Sequence, residues 1–162
     1  MFKRRLVRST VLAAATAAMA AMTGCATSRA MMDAEMARSN TQTVLAFEET
    51  VFNKHQVKEG FRRYVGSLYK QHDPLLPDGK EAAIKALNQL LIGEIPNSHL
   101  IVKRTVAQGD LVAVHSWWDR KPGESRGVAV VDIYRLEGGK IAEHWSVIQD
   151  VPDKTENDNT LF

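Results

Sequence analysis

The sequence predicts one small α+β domain behind an export leader, and three observations carry that prediction. Apolar residues recur at helical spacing between residues 44 and 91, the pattern becomes strand-like beyond Pro96, and glycine-bearing turns divide the later part into four runs. Helices first and an antiparallel meander afterwards is a layout in which the helices must cover one face of a sheet. With 162 residues, the chain has room for one core of ordinary size and no second domain.

Residues 1–24 carry Lys3, Arg4, Arg5 and Arg8, then an Ala/Met-rich apolar stretch, with no acidic residue. That is the layout of a secretory signal, and the apolar run is too short and alanine-rich for a permanent span. Setting it aside leaves 17 Lys and Arg against 19 Asp and Glu, so the mature chain is slightly acidic. The basic balance of the whole chain belongs to the leader, and a nucleic-acid partner loses its electrostatic support. The single cysteine, Cys25, closes the string Met22-Thr-Gly-Cys25, which resembles the lipobox of bacterial lipoproteins. The resemblance implies cleavage before Cys25 and acyl chains, palmitate among them, that anchor the protein to a membrane of the cell envelope, facing the periplasm. A lone thiol cannot form an internal disulfide, and lipidation gives it a use.

Residues 25–39 contain neither Pro nor Gly and read as the lipidated cysteine and a partly helical tether; the domain proper is expected over 40–162. Val44, Leu45, Phe47, Val51 and Phe52 fall on one face of a first helix, and Val57, Phe61, Tyr64, Val65 and Leu68 mark a second. A loop with Pro74, Pro77 and Gly79 precedes a third, built on Ala83, Ile84, Leu87, Leu90 and Leu91 and stopped by Gly93. Strands are expected over 100–107, 111–118, 128–136 and 141–148. Gln108-Gly-Asp110 and Glu137-Gly-Gly-Lys140 are hairpin turns and Lys121-Pro-Gly-Glu124 a longer one, because glycine reaches the positive φ that tight turns need.

Six strings occur in order: Tyr69-Lys-Gln-His72-Asp-Pro74, Asp78-Gly-Lys80, Gly109-Asp-Leu-Val-Ala-Val-His115, Val131-Asp132-Ile-Tyr-Arg135, Gly139-Lys-Ile-Ala-Glu-His144-Trp145 and Asn159-Thr-Leu-Phe162. Together they resemble the SnoaL-like polyketide cyclase family of the nuclear-transport-factor-2-like superfamily, from about residue 44 to the end. The resemblance implies a curved antiparallel sheet wrapped around helices into a cone with a ligand pocket, frequently a homodimer through the sheet. It also implies an intramolecular aldol-type ring closure that needs no metal or organic cofactor.

Such chemistry needs a base to remove a proton beside carbonyl groups and hydrogen-bond donors to hold the enolate. Strand alternation groups His115 with Trp117, Asp132 with Tyr134 and His144 with Ser146, and these rows are expected to face the pocket. On pattern alone the opposite rows, Val112, Val114, Ser116 and Trp118 on the second strand and Trp145 and Val147 on the last, can face it equally well. Asp132 is the candidate base, His72 and His144 the candidate proton-transfer groups, and Tyr64 and Tyr69 candidate donors. The structural alternatives are a strand-end ion pair of Asp132 with Arg135 or Arg120 and a turn-organising role for His72.

Two positions depart from the family pattern. Ser146 stands where an aspartate is usual after Glu-His-Trp, and Trp117 where a second histidine is common after His115-Ser116. A serine hydroxyl cannot replace a carboxylate as a base near neutral pH, and Trp117 is expected to add an aromatic wall. His72, His115, His144 and Asp132 come from separate segments without short ligand pairs, which gives no support to a metal site. The expected function is an anchored pocket domain for a small apolar carbonyl compound, with cyclase-type acid–base activity open. The alternative is a non-catalytic interaction or structural lipoprotein of the same fold.

Overall fold

The structure, a computed structural model, describes residues 28–162. The expected leader, Cys25 and the start of the expected tether lie outside the described residues. The chain divides into two compact units, Met1–Glu35 and Met36–Phe162. Residues 28–35 of the first are helical. Among the described residues no helix is long and apolar enough to cross a membrane.

In the second unit, helix α1 (36–48) buries Val44 and Phe47 and continues as a π-helical turn, Glu49–Asn53, that buries Val51. Helix α2, Val57–Tyr64, follows after a short break. Gly60 lets it approach this turn: a Cβ there would collide with the Val51 side chain. Strand β1 is Val65–Gln71, and helix α3, Lys80–Asn88, runs into a second π-helical turn, Gln89–Glu94. The remaining strands are β2 (His99–Gln108), β3 (Leu111–Asp119), β4 (Val128–Glu137) and β5 (Lys140–Asp150).

The sheet order is β1-β5-β4-β3-β2, antiparallel except that β1 runs parallel to β5. Four strands in a purely antiparallel meander were expected; the fifth occupies residues assigned to the second helix. That helix stops at Tyr64, and Val65 is already extended. Leu68, which continues its apolar spacing, is 87% exposed, so the helical period beyond Tyr64 marks no buried face.

Helices and sheet meet in an aromatic cluster. Phe47 packs edge-on against Phe61 and Tyr134 at 5.4 and 6.0 Å between centroids, and Phe61 against Tyr69 at 5.7 Å. Polar clamps fix the helices to the sheet: Asn40 Nδ2 donates to the Gly109 carbonyl, and Asn53 exchanges two hydrogen bonds with the Leu100 backbone. The result is helices on one face of a curved mixed sheet, an α+β cone, with the opposite face exposing Val106 and Val147.

Candidate functional site

The register of the sheet decides which side chains share the covered face. Directly opposed residues of antiparallel strands point the same way, and the pairs are Val114 with Asp132, Asp132 with Ser146, and Tyr134 with His144. On β4 and β5 the rows Asp132/Tyr134 and His144/Ser146 therefore face inward as expected. On β3 the phase is the reverse. Val112, Val114, Ser116 and Trp118 face inward, and His115 and Trp117 lie on the outer face. There His115 stacks near Phe162, and burial followed by Arg104 and Lys103 lowers its pKa. Trp117 Nε1 donates to the Arg126 carbonyl at 2.9 Å. The signal for this phase was in the sequence: the row on β3 without a histidine is the more apolar one. Trp117 is thus no wall of the pocket, and its departure from the family pattern does not alter the pocket's polar inventory.

His72 is also turned outward. Its ring lies flat on Trp145 at 4.4 Å, and Nε2 donates to Glu143 Oε2 at 2.8 Å. Glu143 also accepts from Arg135, and these two hydrogen bonds hold its carboxyl below the usual range. Arg135 is therefore committed to Glu143 on the outer face and does not pair with Asp132.

What converges inside is Asp132, His144 and a residue the sequence reading passed over, Gln71. His144 Nε2 lies 3.0 Å from Asp132 Oδ1, and Nδ1 lies 2.9 Å from Gln71 Oε1. Gln71 Oε1 also accepts from the Asp73 backbone N–H at 3.0 Å, while its Nε2 donates to the Tyr69 hydroxyl at 2.8 Å. A backbone N–H can only donate, so the amide oxygen must face Asp73 and His144, and Nδ1 of His144 must carry a hydrogen. One further hydrogen then lies between Nε2 and Asp132. Asp132 and His144 are 4% and 8% exposed, which removes most competing water.

A ring of aromatic groups backs this chain. Tyr134 stacks on His144 at 4.8 Å, and its hydroxyl donates to Glu48 Oε1 at 3.2 Å. Glu48 is 1% exposed, and its Oε2 has no hydrogen-bond partner. Burial, reinforced by the charge of Asp132, pushes the Glu48 carboxyl well above its ordinary value. Burial likewise raises the Tyr69 and Tyr134 hydroxyls. Tyr69 and Tyr134 support the site from behind without lining its cavity, and Tyr64 packs at the edge of the core beside Arg63.

The cavity in front has a volume of about 230 Å³. Phe52, Leu75, Leu76, Leu87 and Leu90 wall it from the helices and the loop after β1, and Leu100, Trp118, Val130 and Ile148 from the sheet. Its polar groups are Asp132, His144 and Ser146, with Asp73 and Arg120. Asp73 is engaged locally, Oδ1 accepting the Leu75 N–H at 2.8 Å. An apolar chamber with a few convergent polar groups can hold a small molecule and present one of its atoms to a dry acid–base pair. His72 and His115 lie across the sheet from Asp132 and His144, so the four do not converge on a common centre. Among the described residues no three His, Cys, Asp or Glu side chains are arranged to hold a metal ion.

Residues 44–144 match the family described as SnoaL-like domain. A search of curated proteins finds no match to the chain. Among solved structures, the chain is similar to a nuclear-transport-factor-2-like protein of unknown function from Cytophaga hutchinsonii, with a TM-score of 0.56 at 15% identity over 68% of this chain and 89% of that one. A putative polyketide cyclase from Acidithiobacillus ferrooxidans gives 0.57 at 19% identity, over 68% and 87%. A SnoaL-like protein of unknown function from Burkholderia thailandensis gives 0.58 at 15%, over 69% and 95%. At these identities the likeness is one of fold.

Proposed function

The chain belongs to the SnoaL-like domain family, and from that premise we propose that its cavity binds a small, largely apolar carbonyl compound on which Asp132 and His144 move a proton. The observation that carries the reading is the pair itself: a carboxylate and an imidazole joined at 3.0 Å at a cavity wall, with the imidazole fixed by Gln71.

The chemistry follows from the hydrogen count. The C–H bond beside the ligand carbonyl breaks, its proton passes to the Asp132 carboxylate, and its electron pair moves onto the carbonyl oxygen as an enolate. His144, held by Gln71, stabilises the ionised form of Asp132 beforehand. Ser146, which sits opposite Asp132 on β5 and lines the cavity, offers its O–H to the developing oxyanion. In an aldol closure the enolate carbon bonds to a second carbonyl of the same molecule, and the new alkoxide recovers the proton. The residues present need no cofactor for any of these steps.

The same reading places the mature protein in the bacterial cell envelope, tethered by acyl chains on Cys25 and facing the periplasm. The test of the site is α-proton exchange of a β-dicarbonyl probe in deuterated water, followed by magnetic resonance. Asp132→Asn is expected to lower the protein-dependent rate by about 100-fold or more. An unchanged rate removes Asp132 from the mechanism.

A further inference from the structure

The geometry points to a ligand that carries a carboxylate: Arg120, at the mouth of the cavity, holds the anionic end of a molecule whose apolar body lies against the leucine wall and whose carbonyl end reaches Asp132. The inference rests on the pocket reading above and adds the ligand's charge and polarity to it.

Arg120 follows the end of β3 and lines both the cavity and a separate surface cleft with Glu94, Pro96 and Asn97, which places it where the cavity opens. Among the described residues no carboxylate forms an ion pair with it. Its guanidinium instead lies 5.2 Å from the centroid of the Trp118 ring, itself part of the cavity wall. The Trp118 ring attracts the guanidinium at that distance, and a guanidinium fork matches a carboxylate with two parallel hydrogen bonds. Of the other ionic groups of the lining, Asp132 is joined to His144, and Asp73 accepts the Leu75 N–H at Oδ1.

Position along the sheet gives the molecule a polarity. Trp118 pairs with Val128, and Val128 is four residues from Asp132 on the same strand, about 13 Å at strand spacing. The long arginine side chain returns part of that distance. The cation and the reacting pair are therefore anchored at separate places along the cavity wall, and an anionic tail bound at the first can present a carbonyl end to the second. Binding energy gathered at Arg120, away from the reacting atoms, also orients the acidic C–H.

The experiment uses the purified protein and two probes, benzoylacetone bearing a para-carboxylate and the methyl ester of that acid, titrated by calorimetry. The acid is expected to bind about tenfold or more tightly than the ester, the scale of a charge-assisted hydrogen bond. Raising the salt concentration should erode the acid's advantage and leave the ester's affinity unchanged. Arg120→Gln, checked for a cooperative thermal melt, is expected to abolish the preference by weakening the acid about tenfold more than the ester. Arg120→Lys should retain part of the preference, and Asp132→Asn should keep it while losing proton exchange. Equal affinity for acid and ester in the wild type, or a preference that survives Arg120→Gln, overturns the inference and leaves the cavity reading standing. Failure of both probes to bind overturns the two together.

Discussion

Gln71 sets the state of His144 through a constraint that no histidine could supply. Its amide oxygen answers two donors, the Asp73 N–H and His144 Nδ1. Replacing it with leucine leaves both without an acceptor in a buried place and frees the imidazole to turn. Gln71→Leu is accordingly expected to slow proton exchange roughly tenfold, the scale of lost orientation by a supporting residue, and to change its pH profile; a profile identical to wild type would remove Gln71 from that role. Glu48 makes a different prediction. Its carboxyl is raised by burial, so between the unfolded value and the higher folded one the unfolded chain has lost the proton while the folded one keeps it. Stability therefore falls as pH rises through that window, by at most about 1.4 kcal/mol per pH unit. Glu48→Gln should flatten this slope in urea titrations at pH values from mildly acidic to mildly basic. Alternation alone left two phases open on β5, and the register turns His144 and Ser146, with Asp132 on β4, to the covered face. His72 was singled out as a proton-transfer group in Gln-His-Asp-Pro, but it is its uncharged neighbour Gln71 that meets His144. Arg120 entered the sequence reading only as an ion-pair partner for Asp132, because its place beside the cavity depends on how β3 ends.

Between Tyr64 and Gln71 two local patterns competed. Val65 and Leu68 continue the spacing of Phe61, which reads as helix, whereas Gly66 lowers helix propensity and the buried positions Val65, Tyr69 and Gln71 alternate as in a strand. The deciding contribution is non-local: β1 gains a partner only because β5, some 75 residues later, lies parallel to it, with Gln71 opposite His144. No pattern inside the segment contains that information, and the one element misread is the one that delivers Gln71. The β3–β4 connection was readable from Pro122-Gly123, and the structure adds a second required glycine at its end. Gly127 has φ of +74°, and a Cβ there would meet the Trp118 carbonyl oxygen at 2.7 Å and also strike the Trp117 indole. Neither the backbone of β3 nor a ring hydrogen-bonded to Arg126 can move aside cheaply. Gly127→Ala is expected to cost about 2–4 kcal/mol in denaturant unfolding, combining a left-handed alanine with the clash. Because Trp118 lines the cavity, the same variant should weaken ligand binding; stability within about 0.5 kcal/mol of wild type would show that the turn relaxes without strain.

At the scale of the whole molecule, the division of charge and the single cysteine belong to one proposal. The described residues contain no cysteine and supply a cavity, whereas residues 1–24 carry Lys3, Arg4, Arg5 and Arg8 without a single acidic residue, and Cys25 follows them. An exposed free thiol is reactive in an oxidising compartment, so a cysteine at that position is best accounted for as the acceptor of acyl chains. One chain binds a membrane only marginally, but two or more hold a protein stably, and the proposal is that acyl chains on Cys25 do so here. Expressed in a bacterium with its leader, the protein should be recovered in the membrane fraction and be released by detergent but not by high salt, since a salt-sensitive association would be electrostatic. Mass spectrometry of its N-terminus should find Cys25 as the first residue, carrying a diacylglycerol. Cys25→Ser should abolish both the modification and the detergent requirement while leaving the binding of a β-dicarbonyl probe intact, because the cavity is built entirely from residues 52–148. An unmodified Cys25, or cleavage at another position, would overturn the anchor without touching the site.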